Sequence, residues 1–427
     1  MKNILNKVLR FLTIPLQMVS VWIAFVALLW ISRGVAGGYL AFALTIAFAA
    51  ALWLRGKARR SQRAAIWRGV ALAVALAPPV YLLVPLAASS LPPLSSDASA
   101  QMWPTFDGRQ VAVYRYPAAP ANDRHAALVF VHGGPGAYLR DFDRDFFASF
   151  ARAGFDVVLY DQFGAGRSAL GEARVYTHEN NVKDLAAILA RINKPTVLIG
   201  QSYGATLITS ALAQEDVRRR VTHVILSEPG RVPGGVESEA RPMAEKTTRA
   251  PDAMDKPSQA VIAKLVAPRA MLATFLPRTN GFVKQEELIN LYSSDVQHLL
   301  VSPGFCKGDT ALLDRFKAGR FNILANVAIN RDALAAKTPD LRNLAAPVLL
   351  LLGECSYIPR GLAMEYFGVY HVARSQLVPG VGHILWGNDK GQSLTRDAIL
   401  RFVDNLPAPA PNEPTAASAN LFVASGR

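Results

Sequence analysis

Hydrophobic and polar positions follow two regimes along this chain, divided near residue 90. Before that point three long apolar stretches come in series, at about 11–31, 38–54 and 69–88, the last carrying Pro78 and Pro79. Each is close to the roughly 17–25 residues that a helix needs to cross a hydrocarbon core, so three transmembrane helices are expected. After residue 104 the pattern shortens. Apolar, β-branched runs at 111–116, 128–131, 157–160, 196–199, 224–226, 348–352 and 376–378 read as strands. Several of them (LVFV, VVLY, TVLI, VLLLL) are apolar throughout, as strands buried on both faces of a parallel sheet are. Helical spacing fills 141–153, 180–192 and 205–213, and this alternation predicts an α/β fold with helices on both faces of a mostly parallel sheet.

From 229 to 344 the rhythm lapses. Helical patterns at 286–300 and 311–316 remain, without a strong buried strand, and predict a helical cap inserted between two sheet strands. The expected organisation is a transmembrane region over 1–90, a Ser/Pro-rich linker over 91–103, a core over 104–228 and 345–406, the cap over 229–344, and an unstructured tail over 407–427.

Charge sharpens the first regime. The chain has 427 residues, 51% of them hydrophobic, and a net charge of +14. Lys2, Lys7, Arg10, Arg33, Arg55, Lys57, Arg59, Arg60, Arg63 and Arg68 all precede the first acidic residue, Asp97. The basic balance therefore belongs mostly to the apolar region. No basic patch interleaved with aromatics appears elsewhere, which argues against a nucleic-acid partner. Most of these cations crowd the junction between the second and third stretches, and positive loops stay on the cytoplasmic side. The third span then carries the remainder outward. The expected location is a bacterial inner membrane, multi-pass, with the lipid bilayer as partner and the catalytic domain in the periplasm; two spans would leave that domain in the cytoplasm. Cys306 and Cys355 form no CxxC pair and no zinc-spaced cluster, so no metal is expected. A periplasmic setting would permit their pairing, but with nothing in the sequence to bring them together, two free thiols are the expectation.

Three glycine-flanked motifs carry the chemistry. Gly200-Gln201-Ser202-Tyr203-Gly204 lies directly after a strand and before a helix, the context of a nucleophile elbow, which makes Ser202 the expected nucleophile. His132-Gly133-Gly134-Pro135-Gly136 also follows a buried strand. Acyl transfer builds charge on a carbonyl oxygen, and the N–H groups of Gly134 and Tyr203 are the expected oxyanion donors, since Pro135 has none. Gly380-Val381-Gly382-His383 follows a third strand and gives His383 as general base, late in the chain as the order Ser, acid, His requires. His125, His178, His223, His298 and His371 have no comparable loop setting and read as surface or packing residues.

These motifs, with Asp161-Gln162-Phe163-Gly164-Ala165-Gly166-Arg167-Ser168, resemble the α/β-hydrolase superfamily, closest to its proline iminopeptidase-like branch, over about 111–406. That branch is known for HGGPG, D-Q-R-G-x-G-x-S and G-G-S-W-G; here Phe163, Gln201 and Tyr203 depart from it. None of Glu237, Glu239, Glu245, Glu286 or Glu287 matches by motif the cap carboxylates with which the branch holds a free amino terminus. The resemblance implies an α/β-hydrolase fold and a serine hydrolase that needs no cofactor and acts on a small ester, an amide or a short peptide. In such families an Asp usually follows the strand ending G-x-x-D, where this chain has Ser356. The acid is then Glu228, at the end of the preceding strand, or alternatively Glu354. The missing Asp also leaves open a catalytically inactive binding protein of this fold at the membrane.

Overall fold

The computed structural model describes residues 99–235, 267–275, 283–293, 319–370 and 373–405, with scattered positions before 95 and between 301 and 309. Eight strands are seen: β1 (Ala100–Pro104), β2 (Gln110–Tyr116), β3 (Ala126–Val131), β4 (Phe155–Tyr160), β5 (Thr196–Gln201), β6 (Val221–Ser227), β7 (Val348–Gly353) and β8 (Ala373–Val378). They form one sheet in the order β1-β2-β4-β3-β5-β6-β7-β8. β1 and β2 run antiparallel to their neighbours, and every pairing from β4 onward is parallel.

The apolar runs explain the layering. Successive strand residues face opposite sides of a sheet, so a strand buried on both faces must be apolar throughout. In β3, Val129 and Val131 pack with Val182, Leu185 and Ile188 of α2 (His178–Ala190) and with Leu207 and Ile208 of α3 (Tyr203–Ala211). Leu128 and Phe130 face the other way, into Phe146 and Phe147 near the end of α1 (Asp141–Ala148) and Ile399 and Phe402 of the last helix (Asp389–Val403). Each such side chain contributes roughly 1.5–3 kcal/mol on burial.

β1 corrects the reading of 91–103 as linker. Residues 100–104 pair with β2 from Tyr114 to Gln110. The segment AQMWP carries little strand signal, because an edge strand with Gln101 and Met102 exposed needs no apolar face on both sides; Pro104 is tolerated at such an edge.

Between β6 and β7 the described residues hold helices, among them Pro268–Phe275, Gln285–Leu291 and α4 (Ile323–Ala335), and no strand. The helical patterns at 294–300 and 311–316 and the tail at 407–427 lie outside the described residues. Residues 1–91 and 258–291 form one compact unit, and 92–257 with 292–427 another. In the first, Arg269 and Glu287 make a buried two-pronged ion pair, at 2.9 and 2.7 Å. The three expected spans lie largely outside the described residues. Their described positions 16, 19–25, 27–28, 40, 43–47, 49–50, 70, 73 and 76–77 are helical, and Pro85 is not. Among the described residues no helix is long and apolar enough to cross a membrane.

Candidate active site

Ser202 stands between β5 and α3 with φ 54° and ψ −120°. A side-chain-bearing residue in that region costs on the order of 1–3 kcal/mol, and such strain persists only where the surroundings hold it. Here the two flanking glycines permit it. A Cβ on Gly200 would lie 2.6 Å from the Gly204 backbone. One on Gly204 would strike the carbonyl of Val131 and lie 2.9 Å from that of His132. The turn is thus pressed against itself and against the end of β3, which lifts Ser202 off the sheet's carboxyl edge. Its backbone is tied to the neighbouring strand end: Ser202 N–H donates to Ser227 O at 3.0 Å, and Gly230 N–H donates to Ser202 O at 3.1 Å.

The His132–Gly136 turn leans on the same serine. A Cβ on Gly133 would lie 2.7 Å from Ser202 Cβ. Gly134 has φ 50° and Gly136 φ 78°, a left-handed backbone that favours glycine. Neither the Gly134 N–H nor the Tyr203 N–H has a hydrogen-bond partner among the described residues; Tyr203 opens α3, where the first N–H groups lack intrahelical acceptors. The turn is braced from two sides. Gln162 donates its backbone N–H to His132 Nε2 at 3.1 Å and its side-chain amide to His132 O at 2.8 Å. Since Nε2 accepts, Nδ1 carries the proton and donates to Gly133 O at 2.9 Å. Burial pushes the His132 pKa down, which keeps this neutral arrangement. On the other side, Asn326 donates to Pro135 O and Asn322 N–H to Gly136 O, both at 2.8 Å, from the start of α4 in the insertion.

His383 is buried, and its Nδ1 lies 3.4 Å from Glu228 Oε2. Glu228 immediately follows β6, is 2% exposed and has φ 47°. Its N–H donates to Leu351 O at 2.8 Å, Gly353 N–H donates to its Oε1, and the Ser356 hydroxyl donates to its Oε2. Glu354 goes elsewhere, accepting the Gly380 N–H at 2.8 Å. Of the two candidate carboxylates, Glu228 meets the imidazole and Glu354 does not. No hydrogen bond joins the Ser202 hydroxyl to His383 among the described residues; the nearest link runs from the Gln201 amide to His383 O at 3.3 Å. Such contacts are often loose without substrate and tighten when it binds. The Tyr357 ring lies 4.8 Å from the imidazole, centroid to centroid.

The expectation of free thiols is overturned: Cys306 and Cys355 form a disulfide. The pair joins the insertion to the loop after β7. Beside it Gly304 O accepts the Ile384 N–H at 2.9 Å, and Cys355 N–H donates to Val381 O at 3.1 Å, so the bridge fixes both flanks of the His383 loop. Local patterning carries no hint of it, because the partners are 49 residues apart.

His178, read as a surface or packing residue, is buried directly behind the serine turn. Asn181 donates to Tyr203 Oη at 3.3 Å, Tyr203 Oη lies 2.9 Å from His178 Nδ1, and His178 Nε2 lies 2.7 Å from Ser210 Oγ. With Tyr203 donating, His178 is neutral with its proton on Nε2, and burial lowers its pKa from 6.5 to about 4. The pattern held a clue. His178 and Asn181 sit at i and i+3 on the same buried face as Val182 and Leu185, and two polar residues on an apolar stripe need partners. Among the described residues no group of three or more His, Cys, Asp or Glu could hold a metal ion.

Known proteins share parts of this chain. Proline iminopeptidase from Thermoplasma volcanium is 34% identical over 97 residues, 22% of this chain and 31% of that protein. The one from Levilactobacillus brevis is 33% identical over 124 residues, 28% of this chain and 38% of that protein. The chain thus spans about a third of the length of the curated relatives it matches. Among solved structures, an esterase from Exiguobacterium antarcticum superposes with TM-score 0.49 at 14% identity, covering 71% of this chain and 99% of that one. A proline iminopeptidase-related protein from Thermus thermophilus gives 0.44 at 19% identity, covering 72% and 99%. The model of the alpha/beta hydrolase family matches residues 128–392. That match begins inside β3 and runs into the last helix, and on it the chain belongs to the alpha/beta hydrolase family.

Proposed function

We propose that this protein is a membrane-anchored serine hydrolase that cleaves an ester or amide bond. The observation that carries the reading is the His383–Glu228 contact, set at the strand end to which the strained Ser202 turn is also bonded. Ser202 Oγ attacks the carbonyl carbon while His383 Nε2 takes its proton. Glu228 holds Nδ1, fixes the tautomer and stabilises the imidazolium. The N–H groups of Gly134 and Tyr203 receive the developing oxyanion. His383 then protonates the leaving group, and water releases the acyl group by the same steps in reverse. The late insertion, which reaches the oxyanion turn through Asn322 and Asn326, is read as part of a cap.

Glu228 supplies the carboxylate whose apparent absence at position 356 favoured an inactive binding protein, so that alternative loses its main support. Within the insertion, Glu287 is occupied by Arg269 and is a poor candidate to hold a substrate's amino terminus. Membrane attachment rests on the three apolar stretches and on the exposed Leu16, Val19, Trp22, Ile23, Leu40, Leu44, Ile46 and Val70, apolar side chains that a non-aqueous partner would cover. The Cys306–Cys355 disulfide supports a catalytic domain on the oxidising, periplasmic side.

The test is turnover by the full chain in detergent, on p-nitrophenyl esters of graded acyl length and on prolyl amides. Hydrolysis of at least one ester, lost in Ser202→Ala, is expected. A Ser202→Ala enzyme as fast as wild type on that ester would remove the reading.

A further inference from the structure

We propose that Ser356 is a positioning residue for catalysis: its hydroxyl aims the Glu228 carboxylate at His383. The inference rests on the triad reading above and adds a group to it. A carboxylate only accepts hydrogen bonds, so in the contact between Ser356 Oγ and Glu228 Oε2 the serine is the donor. The same oxygen, Oε2, faces His383 Nδ1. Ser356 Oγ itself accepts the Ile358 N–H at 3.1 Å, which leaves its single proton directed to the carboxylate. Glu228 Oε1 is held independently by Gly353 N–H.

A glutamate needs this help. Its carboxylate ends a side chain with one more rotatable bond than aspartate has, and it is launched from a left-handed backbone at the end of β6. Without a donor on Oε2 the carboxylate can turn about its last bond and present either oxygen, or neither, to the imidazole. Donors from the last residue of β7 and from the loop after it fix both oxygens, and that loop is itself anchored. Glu354 N–H donates to Val378 O, Cys355 N–H donates to Val381 O, and Cys355 is bridged to Cys306. The acid thus comes from one strand end and its orientation from the next. Ser356 is 7% exposed and acts through Glu228 and His383, so its loss must show in the chemical step rather than in substrate binding.

The experiment compares wild type, Ser356→Ala, Ser356→Thr and Glu228→Ala as full chains in detergent. The readouts are kcat and KM on the p-nitrophenyl ester that wild type hydrolyses, with Tm alongside. Ser356→Ala is expected to lower kcat by about tenfold to a hundredfold, the scale of one hydrogen bond to a charged group, with KM within about threefold. Ser356→Thr, which keeps the hydroxyl, is expected to retain most of kcat. If Glu228→Ala is inactive while Ser356→Ala turns over at the wild-type rate, the inference fails and the triad stands. The inference also fails if Ser356→Thr is as slow as Ser356→Ala, since the hydroxyl would then not be the working group. Full activity in Glu228→Ala would instead defeat the triad reading beneath it.

Discussion

Acidification should destabilise this protein through His178. That residue is 3% exposed and neutral, with Tyr203 Oη on one ring nitrogen and Ser210 Oγ on the other. A proton on Nδ1 would remove the acceptor that Tyr203 uses and place a charge in the core that the nearby Asp332 carboxylate only partly offsets. Its pKa accordingly falls from 6.5 to about 4 on folding. The unfolded chain therefore binds the proton first as pH drops, and stability rises with pH across that window. The contribution is intact above the unfolded pKa of 6.5 and is lost as pH falls toward about 4. The linkage relation gives a loss of about 2 kcal/mol by about pH 5, and about 3 kcal/mol in all. The assay is thermal unfolding of the full chain in detergent between about pH 7 and 4, wild type against His178→Gln, which keeps hydrogen-bonding capacity without the titration. The variant should start less stable near neutrality and lose less on acidification. His132, whose pKa burial also lowers, will leave some slope in both. Parallel curves across the window would refute the reasoning.

Other expectations follow from single contacts. Gly204→Ala would press a methyl against the Val131 and His132 carbonyls; neither backbone group can move aside, so a loss of about 1–3 kcal/mol is expected, read as a lower Tm with a displaced serine turn and lost turnover. Asp184→Ala would strand the buried Arg109 guanidinium, now held at 2.8 Å; a loss of about 3–5 kcal/mol is expected, and an unchanged Tm would contradict it. Neither cysteine should alkylate in the denatured, unreduced chain, and reduction should raise its mass by two hydrogens. Replacing both with Ala, which opens a bridge across 49 residues, should cost up to about 4 kcal/mol, seen as a lower midpoint in thermal unfolding.

Much of the sheet was legible because burial on both faces demands unbroken apolar runs, and β3, β5 and β7 supply them. The Ser202 and His132–Gly136 turns were legible because a sharp reversal at a strand end excludes Cβ atoms, which leaves a glycine signature at 200, 204 and 133. Which carboxylate meets His383 was not. Glu228 and Glu354 each follow a strand, and what separates them is the donors their carboxylates meet: Glu354 takes the Gly380 N–H, while Glu228 reaches across to the loop after β7. β1 was missed because its stability comes from pairing with β2 and not from its own pattern. The polar pair His178 and Asn181 on an apolar stripe signals that partners are needed but not that Tyr203 is one, and the disulfide joins residues distant in sequence that no local spacing encodes.

The central claim is that Ser202 is made nucleophilic by a histidine oriented from Glu228. Labelling by a fluorophosphonate, followed by mass analysis of the modified peptide, tests it most directly, because the reagent phosphonylates only an activated serine. Wild type should carry the adduct on Ser202. Ser202→Ala should carry none, His383→Ala and Glu228→Gln should label more slowly by about a hundredfold or more, and Glu354→Gln should label as wild type. Adduct formation that survives His383→Ala and Glu228→Gln at the wild-type rate, or that is lost only in Glu354→Gln, would contradict the account.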